Sequence, residues 1–406
     1  NQPSVLRKKK GWRGNLPAFS FGLVTLERWL EGIGMFDRRK FLGGAAILGG
    51  GLRSGCDISF GSGNGMAKDQ KIYRLPDEGA PHLRTFMQWP SNPVVYPEAD
   101  DLDVMQDAIA SIARAVARYE PVIMLGAKEH AARIAQLTRG AVEHWDIPTD
   151  DLWCRDSGPL FVQGQNGQQT IMNFKFNGWG NGQPHQNDRL IAGAVAQRLK
   201  MPIVDSRLVG EPGGLEFDGE STVIAHESSW VNKDRNRVGR DEITRRMRAA
   251  VGAKEVIWAP GVKGEDITDY HIDSLVRFVK PGVVLIQLPQ KTVSADPFFD
   301  AAYETYDILK NARDAEGRKF EIVVVEEPVN IRSVQEDFVA SYVNYYVCNG
   351  AVIAAEFGDD KADEAAKATL TELYPDREIV MLNVDPIGEA GGGIHCATQQ
   401  QPKNLI

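Results

Sequence analysis

The sequence predicts an α/β fold assembled from repeated ββα-type units, and three observations carry that reading. Segments with apolar residues at helical spacing alternate with short runs rich in β-branched residues. Two such runs often stand together ahead of a helical segment, which disfavours a strictly alternating, doubly wound parallel sheet. No Ser/Gly/Pro-rich linker divides the chain after about residue 70, so residues 67–406 read as one domain.

In chain order, helical spacing marks residues 102–119, 129–137 and 189–199, and then 240–251 and 360–373. Strand candidates lie at 170–176, 222–225, 256–259 and 274–279. Others follow at 283–288, 321–325, 342–347 and 351–354. No GxGxxG or Walker loop follows a strand and opens a helix, so nucleotide binding has no support.

Composition narrows the function classes. The chain has 406 residues, 43% of them hydrophobic and 25% charged, which suits a globular protein with a full core. Its formal net charge of −9 conceals an asymmetry. Residues 1–66 hold ten Lys/Arg against four Asp/Glu, and the remainder holds 36 against 51. An acidic body argues against nucleic-acid binding, which needs a basic face. It is compatible with a cationic ligand drawn to a carboxylate-lined site.

The basic N-terminal region reads as a leader. At Met35 the character changes, and Arg38-Arg39-Lys40-Phe41-Leu42 precedes a Gly-rich apolar stretch that ends at Leu52. This pattern looks like a twin-arginine export signal, with Met35 as the expected true start. The apolar stretch, about 12 residues, is too short for a membrane span of about 20. Arg53 stands where a lipobox has Leu, which argues against lipidation at Cys56. The expectation is a periplasmic or otherwise extracytoplasmic protein handled by the twin-arginine machinery, or a cytoplasmic one if the motif is fortuitous. Beyond the leader remain Cys154, Cys348 and Cys396, an odd set that leaves at least one free thiol. No Cys/His cluster has zinc spacing, so no metal is expected.

Four segments carry chemistry. Gly391-Gly392-Gly393-Ile394-His395-Cys396 places a cysteine behind glycines that let a ligand approach the backbone. Asp269-Tyr270-His271-Ile272-Asp273 would project His271 and Asp273 to one side if extended. Trp153-Cys154-Arg155-Asp156-Ser157-Gly158-Pro159 sets a tryptophan and opposite charges beside a turn. Residues 211–220 hold four carboxylates, beginning with Glu211-Pro212-Gly213-Gly214. Each alone has an ordinary reading as a cap, a hairpin or a buried cysteine.

Together they fit one substrate. A guanidinium is flat, permanently charged and bristling with donors, and carboxylates hold it bidentately. Its carbon is a poor electrophile, so near neutrality it needs a thiolate. A nearby cation, either the His271 imidazolium or the substrate, is expected to lower the thiol's pKa. A histidine can protonate departing ammonia and then activate water.

The segments together resemble the agmatine deiminases, within the guanidine-modifying superfamily that includes bacterial peptidylarginine deiminases. The likeness runs from about Arg84 onward. It includes Met87-Gln88-Trp89-Pro90, the segment from Trp153 to Pro159, Asn177-Gly178-Trp179-Gly180 and the acidic glycine segment. It continues through His271-Ile272-Asp273, Ala340-Ser341-Tyr342-Val343-Asn344 and the run from Gly391 to Pro402. The resemblance implies a five-bladed β/α propeller (pentein) of ββαβ-type modules in a single catalytic domain. It implies Cys396 as nucleophile, His271 as general acid/base, and Asp156 and Asp273 as guanidinium-holding carboxylates, all four counted as catalytic. Glu211 and Trp153 are expected to line the substrate, and Trp179 to serve as a wall. Pro212 replaces a family glycine and restricts Glu211 to extended backbone. Cys154 and Tyr270 replace a usual Met and Gly, with the pocket rim the expected place of any effect.

The implied reaction converts agmatine to N-carbamoylputrescine and ammonia through a covalent thiouronium, without a cofactor, on a route to putrescine. Peptidyl-arginine deimination, amidine transfer and an inactive polyamine- or arginine-binding protein are the competing readings. A homo-oligomer is left open.

Overall fold

Each β-hairpin in the chain is followed by a helix and by a third strand laid parallel to the hairpin's second. The computed structural model describes residues 73–291, 296–335 and 337–403. The leader read from residues 1–66, with Arg38-Arg39 and Cys56, lies outside the described residues.

The pattern is plainest in the most apolar stretch. Val276–Lys280 runs antiparallel to Val283–Leu288, the helix Pro297–Asn311 crosses over, and Glu321–Glu326 returns parallel to Val283–Leu288. All six residues of Val283–Leu288 are buried, as expected of a strand covered on both faces. Three more units repeat this order. Leu160–Gly164 and Gln169–Asn173 pair antiparallel, the helix Ile191–Leu199 follows, and Ile203–Asp205 pairs parallel. Leu215–Phe217, Thr222–His226, the helix Arg240–Val251 and Glu255–Ala259 form the next. Tyr346–Cys348, Ala351–Ala355, the helix Asp360–Leu373 and Glu378–Leu382 form another.

The remaining sheet joins distant parts of the chain. Gln399–Pro402 lies antiparallel to His82–Gln88, which leads through the helix Ala99–Val116 into the parallel strands Val122–Gly126 and Glu143–Asp146. The described residues thus contain five sheets, each built on a ββαβ module as the resemblance implied, two of them with a fourth strand. None of their helices is long and apolar enough to cross a membrane.

Local chemistry sets the boundaries. The helix Arg240–Val251 stops at Gly252, whose φ of 80° is left-handed, and a Cβ there would stand 2.1 Å from the Tyr73 carbonyl oxygen. The helix Pro297–Asn311, absent from the sequence reading, has Asp296 accepting from the Phe299 N–H and proline in its first turn.

Two strand expectations are corrected. Of 342–347 only Tyr346 and Val347 are in a strand, Tyr346–Cys348, because the fully buried Tyr342 and Val343 pack in a turn that ends by presenting Asn344. The candidate at 274–279 begins as a 3₁₀ turn, Ile272–Ser274, so the strand starts at Val276.

Candidate active site

Five sites in the chain occupy equivalent places, just before the first strand of each module. Cys396 precedes Gln399–Pro402, Asp156 precedes Leu160–Gly164, and Glu211 with Gly213 precedes Leu215–Phe217. His271 and Asp273 precede Val276–Lys280, and Asn344 precedes Tyr346–Cys348. Repetition of one unit therefore delivers all of them to the same end of their sheets.

A single point shows how they converge. A Cβ built on Gly213 would lie 2.7 Å from Asp156 Oδ1, 3.0 Å from His271 Nδ1 and 3.2 Å from Asp273 Oδ2. Asp273 Oδ2 in turn lies 3.5 Å from Cys396 Sγ. Sulfur, imidazole and both aspartates thus surround one small space that only a residue without a side chain leaves open. His271 and Asp273 reach it through the 3₁₀ turn, not through strand alternation, which corrects the extended placement inferred for them.

The two aspartates are held by one oxygen each. Asp156 Oδ2 accepts from the Trp179 indole N–H at 2.9 Å, and Asp273 Oδ2 accepts from His395 Nδ1 at 2.7 Å. Their second oxygens, both Oδ1, are buried and accept no hydrogen bond. Buried carboxylate oxygens without donors are costly unless a ligand supplies them. Burial, supported by Glu211 and Asp273, pushes the Asp156 carboxyl up to about 6. Burial pulls the same way at Asp273 but is overcome by His395, His271 and Arg277, which hold it below the usual range.

His271 is almost fully buried, with Nε2 3.2 Å from Glu211 Oε2 and Nδ1 3.7 Å from Asp156 Oδ1. Burial alone would lower its pKa; Asp156, Glu211 and Asp273 outweigh that and carry it up to about 9. Between about 6 and about 9, then, Asp156 is a carboxylate while His271 is an imidazolium. Glu211 is extended before Pro212, as the proline requires (φ −126°, ψ 130°). It is not aimed at the ligand space alone: Arg235 Nε meets both its oxygens, at 3.0 and 2.8 Å. Arg235 also pairs with Asp269 at 2.7 Å and donates to the Thr268 carbonyl. The Glu211–Arg235 pair thus braces the left-handed residues Asp269 and Tyr270 that precede His271.

The sulfur has a partner that sequence reasoning did not single out. Asn344 Nδ2 donates to Cys396 Sγ at 3.2 Å, and Asn344 Oδ1 accepts from the His395 and Cys396 backbone N–H groups at 3.0 and 3.3 Å. Gly393 makes room for it, since a Cβ there would stand 2.4 Å from Asn344 Oδ1. The expected lowering of the thiol pKa is corrected: burial, then Asp273 and Asp156, push it well above the ordinary value.

The surrounding charges form one network. Glu78 accepts from Arg277, Arg155 and His395 at 2.8, 3.1 and 2.8 Å, and so supports the imidazole that holds Asp273. Arg155 consequently pairs with Glu78 and not with its neighbour Asp156. Trp153 is buried against the glycine turn, since a Cβ on Gly392 would stand 2.4 Å from its ring. Cys154 lies fully buried among Phe86, Phe161 and Ile171, away from the rim expected for it. Tyr270 stacks on His226 at 4.7 Å and meets Phe298 edge-on.

Comparison with known proteins agrees with this geometry. Residues 74–402 match the family model of the Porphyromonas-type peptidyl-arginine deiminases. A Streptomyces coelicolor protein provisionally assigned as an agmatine deiminase is 35% identical over 339 residues, covering 82% of this chain and 99% of that protein. The agmatine deiminase of Pseudomonas putida KT2440 is 33% identical over 358 residues, covering 81% and 95%. The solved agmatine deiminase of Enterococcus faecalis superposes with a TM-score of 0.75 at 25% identity, over 82% of this chain and 96% of that one. With its five modules and a thiol among buried aspartates, the chain belongs to the Porphyromonas-type peptidyl-arginine deiminase family, alongside the agmatine deiminases, and is a hydrolase of guanidino carbon–nitrogen bonds.

Proposed function

We propose that the protein hydrolyses agmatine to N-carbamoylputrescine and ammonia. The observation that carries this reading is the convergence of Asp156 Oδ1, Asp273 Oδ2 and the His271 ring on one space beside the Cys396 thiol, with the Oδ1 atoms of both aspartates buried and without donors. A guanidinium lodged there supplies the missing donors to both carboxylates. Its charge offsets the field that keeps Cys396 protonated, and the thiol proton is lost to solvent. The thiolate bonds to the guanidinium carbon, the His271 imidazolium protonates the departing amino group, and ammonia leaves a positively charged thiouronium. His271, now neutral, takes a proton from water as the oxygen adds to the same carbon. The carbon–sulfur bond then breaks, the thiolate is restored, and the ureido product leaves after losing a proton. Trp153, beside the Gly391–Gly393 turn, serves as a wall for the substrate's aliphatic arm.

Agmatine, free arginine and an arginine peptide assayed side by side for ammonia release test this. Agmatine is expected to give the highest kcat/KM. A higher value for the peptide would replace the agmatine reading with protein citrullination.

We further propose export through the twin-arginine route, supported by Arg38-Arg39-Lys40-Phe41-Leu42 and the short apolar stretch behind it. In a bacterial host the full chain is expected in the periplasmic fraction, and the double change Arg38→Lys, Arg39→Lys is expected to retain it in the cytoplasm. Equal distribution of both forms would remove the proposal.

A further inference from the structure

The run Asn177-Gly178-Trp179-Gly180-Asn181 contains four successive left-handed residues. Their φ values are 66° at Gly178, 51° at Trp179, 78° at Gly180 and 66° at Asn181. Glycine adopts this region readily, but a bulky aromatic does so rarely, and outliers of this kind gather at functional sites. The turn is held from within and from outside. Asn177 Oδ1 accepts from the Gly180 N–H at 2.9 Å, and Asn177 Nδ2 donates to the Asp234 carbonyl at 3.0 Å. Gly178 is pressed so closely that a Cβ would stand 2.4 Å from His185 Nδ1. Phe176 meets the indole edge-on at 5.0 Å.

The strained residue sends a buried N–H into the site. The Trp179 indole donates to Asp156 Oδ2, and the other oxygen of that carboxylate is the one facing the open space at Gly213. Without a donor on Oδ2, the carboxylate could turn about its terminal torsion and present either edge.

We infer that Trp179 is a positioning residue: its left-handed turn exists to aim the indole N–H at Asp156, which fixes the oxygen offered to the substrate guanidinium and favours the ionised carboxylate. The inference rests on the guanidinium reading of the site, and it changes Trp179 from a wall into a support. The groups facing Asp156 are His271, Glu211, Asp273 and the thiols of Cys396 and Cys154, while Arg189 lines a small cavity behind it. None of these is altered when the indole N–H is removed. Loss of that donor disfavours the carboxylate form, so the pH at which Asp156 ionises rises.

The test is Trp179→Phe, which keeps an aromatic ring and deletes the N–H. In the unaltered protein kcat/KM for agmatine is expected to rise with pH through about 6. In Trp179→Phe that acid limb moves upward by about half a pH unit or more, and KM at the acid end rises more than kcat falls. Trp179→Gln, which returns an N–H donor, is expected to bring the limb back towards its original position. A loss of activity uniform across pH, with the limb in place, would reduce Trp179 to a packing residue and overturn the inference.

A second measurement needs no variant and no turnover. Of the indole N–H resonances of the unaltered protein, one is expected to titrate with a midpoint near 6, and that titration is expected to move down in pH when agmatine is bound. Absence of any such resonance would also overturn it. Because this readout involves no chemistry at Cys396, it separates failure of the inference from failure of the proposed reaction.

Discussion

Cys396→Ala is expected to abolish ammonia release from agmatine, by about four orders of magnitude or more. Removal of sulfur deletes the only atom on this wall that can bond to the guanidinium carbon, and the alanine methyl substitutes for nothing in the chemistry. Binding should survive, because Asp156 and Asp273 stay in place and each keeps a buried oxygen without a donor. Calorimetric titration of the variant with agmatine is therefore expected to show heat without turnover. Retained turnover would remove the covalent mechanism. Lost binding would mean that the thiol, and not the aspartates, sets affinity. Labelling of the native thiol by iodoacetamide is expected to be slow in the empty site, since burial and the two aspartates keep that thiol protonated.

Gly213→Ala is expected to lower kcat/KM by about a hundredfold or more. The change adds one methyl, normally among the mildest substitutions, and the backbone at 213 imposes no left-handed conformation that would forbid it. Its effect is positional. The new carbon would stand 2.7 Å from Asp156 Oδ1 and 3.0 Å from His271 Nδ1, so it either fills the ligand space or pushes both groups apart. Thermal unfolding of the variant should fall far less than its activity. Alanine at Gly193, which has open space at its Cβ, is the matched control and is expected to leave the kinetics unchanged. Near-normal turnover in Gly213→Ala would move the guanidinium away from this point and dissolve the site as drawn.

The residues that converge on the candidate site were legible in the sequence because each carries an unusual neighbour. Cys396 follows three glycines, His271 stands two residues from Asp273, and Asp156 lies between Trp153 and a Gly-Pro turn. Helices with strong apolar periodicity were legible for a different reason. Arg240–Val251 and Asp360–Leu373 agree with their sequence boundaries because one buried face enforces the 3.6-residue repeat.

What was not legible depends on tertiary approach. Asn344 sits at the end of an apolar run that reads as strand, and nothing local says that its amide meets a sulfur 52 positions away. One signal was available: chemical segments recur just before successive strand pairs, and the run before Tyr346–Cys348 is the only such place without a recognised residue. Arg235 and Glu78 carry no comparable mark. They lie in loops, and their importance arises wholly from charges brought in by other modules. The thiol's protonation was misread for the same reason, since the count of aspartates around the sulfur is a property of the assembled site.

The pairing of Gln399–Pro402 with His82–Gln88 has a consequence for how the protein comes into being. These strands are separated by more than three hundred positions, and they meet only after every intervening module has emerged from the ribosome. Cys396 stands three residues ahead of Gln399–Pro402. The segment that carries the sulfur also carries His395, which holds Asp273, so the acidic cradle and the thiol are completed together. On the proposed reaction, a chain in which these two strands have not paired lacks both the placed thiol and the support of Asp273, and is expected to bind poorly and not to react.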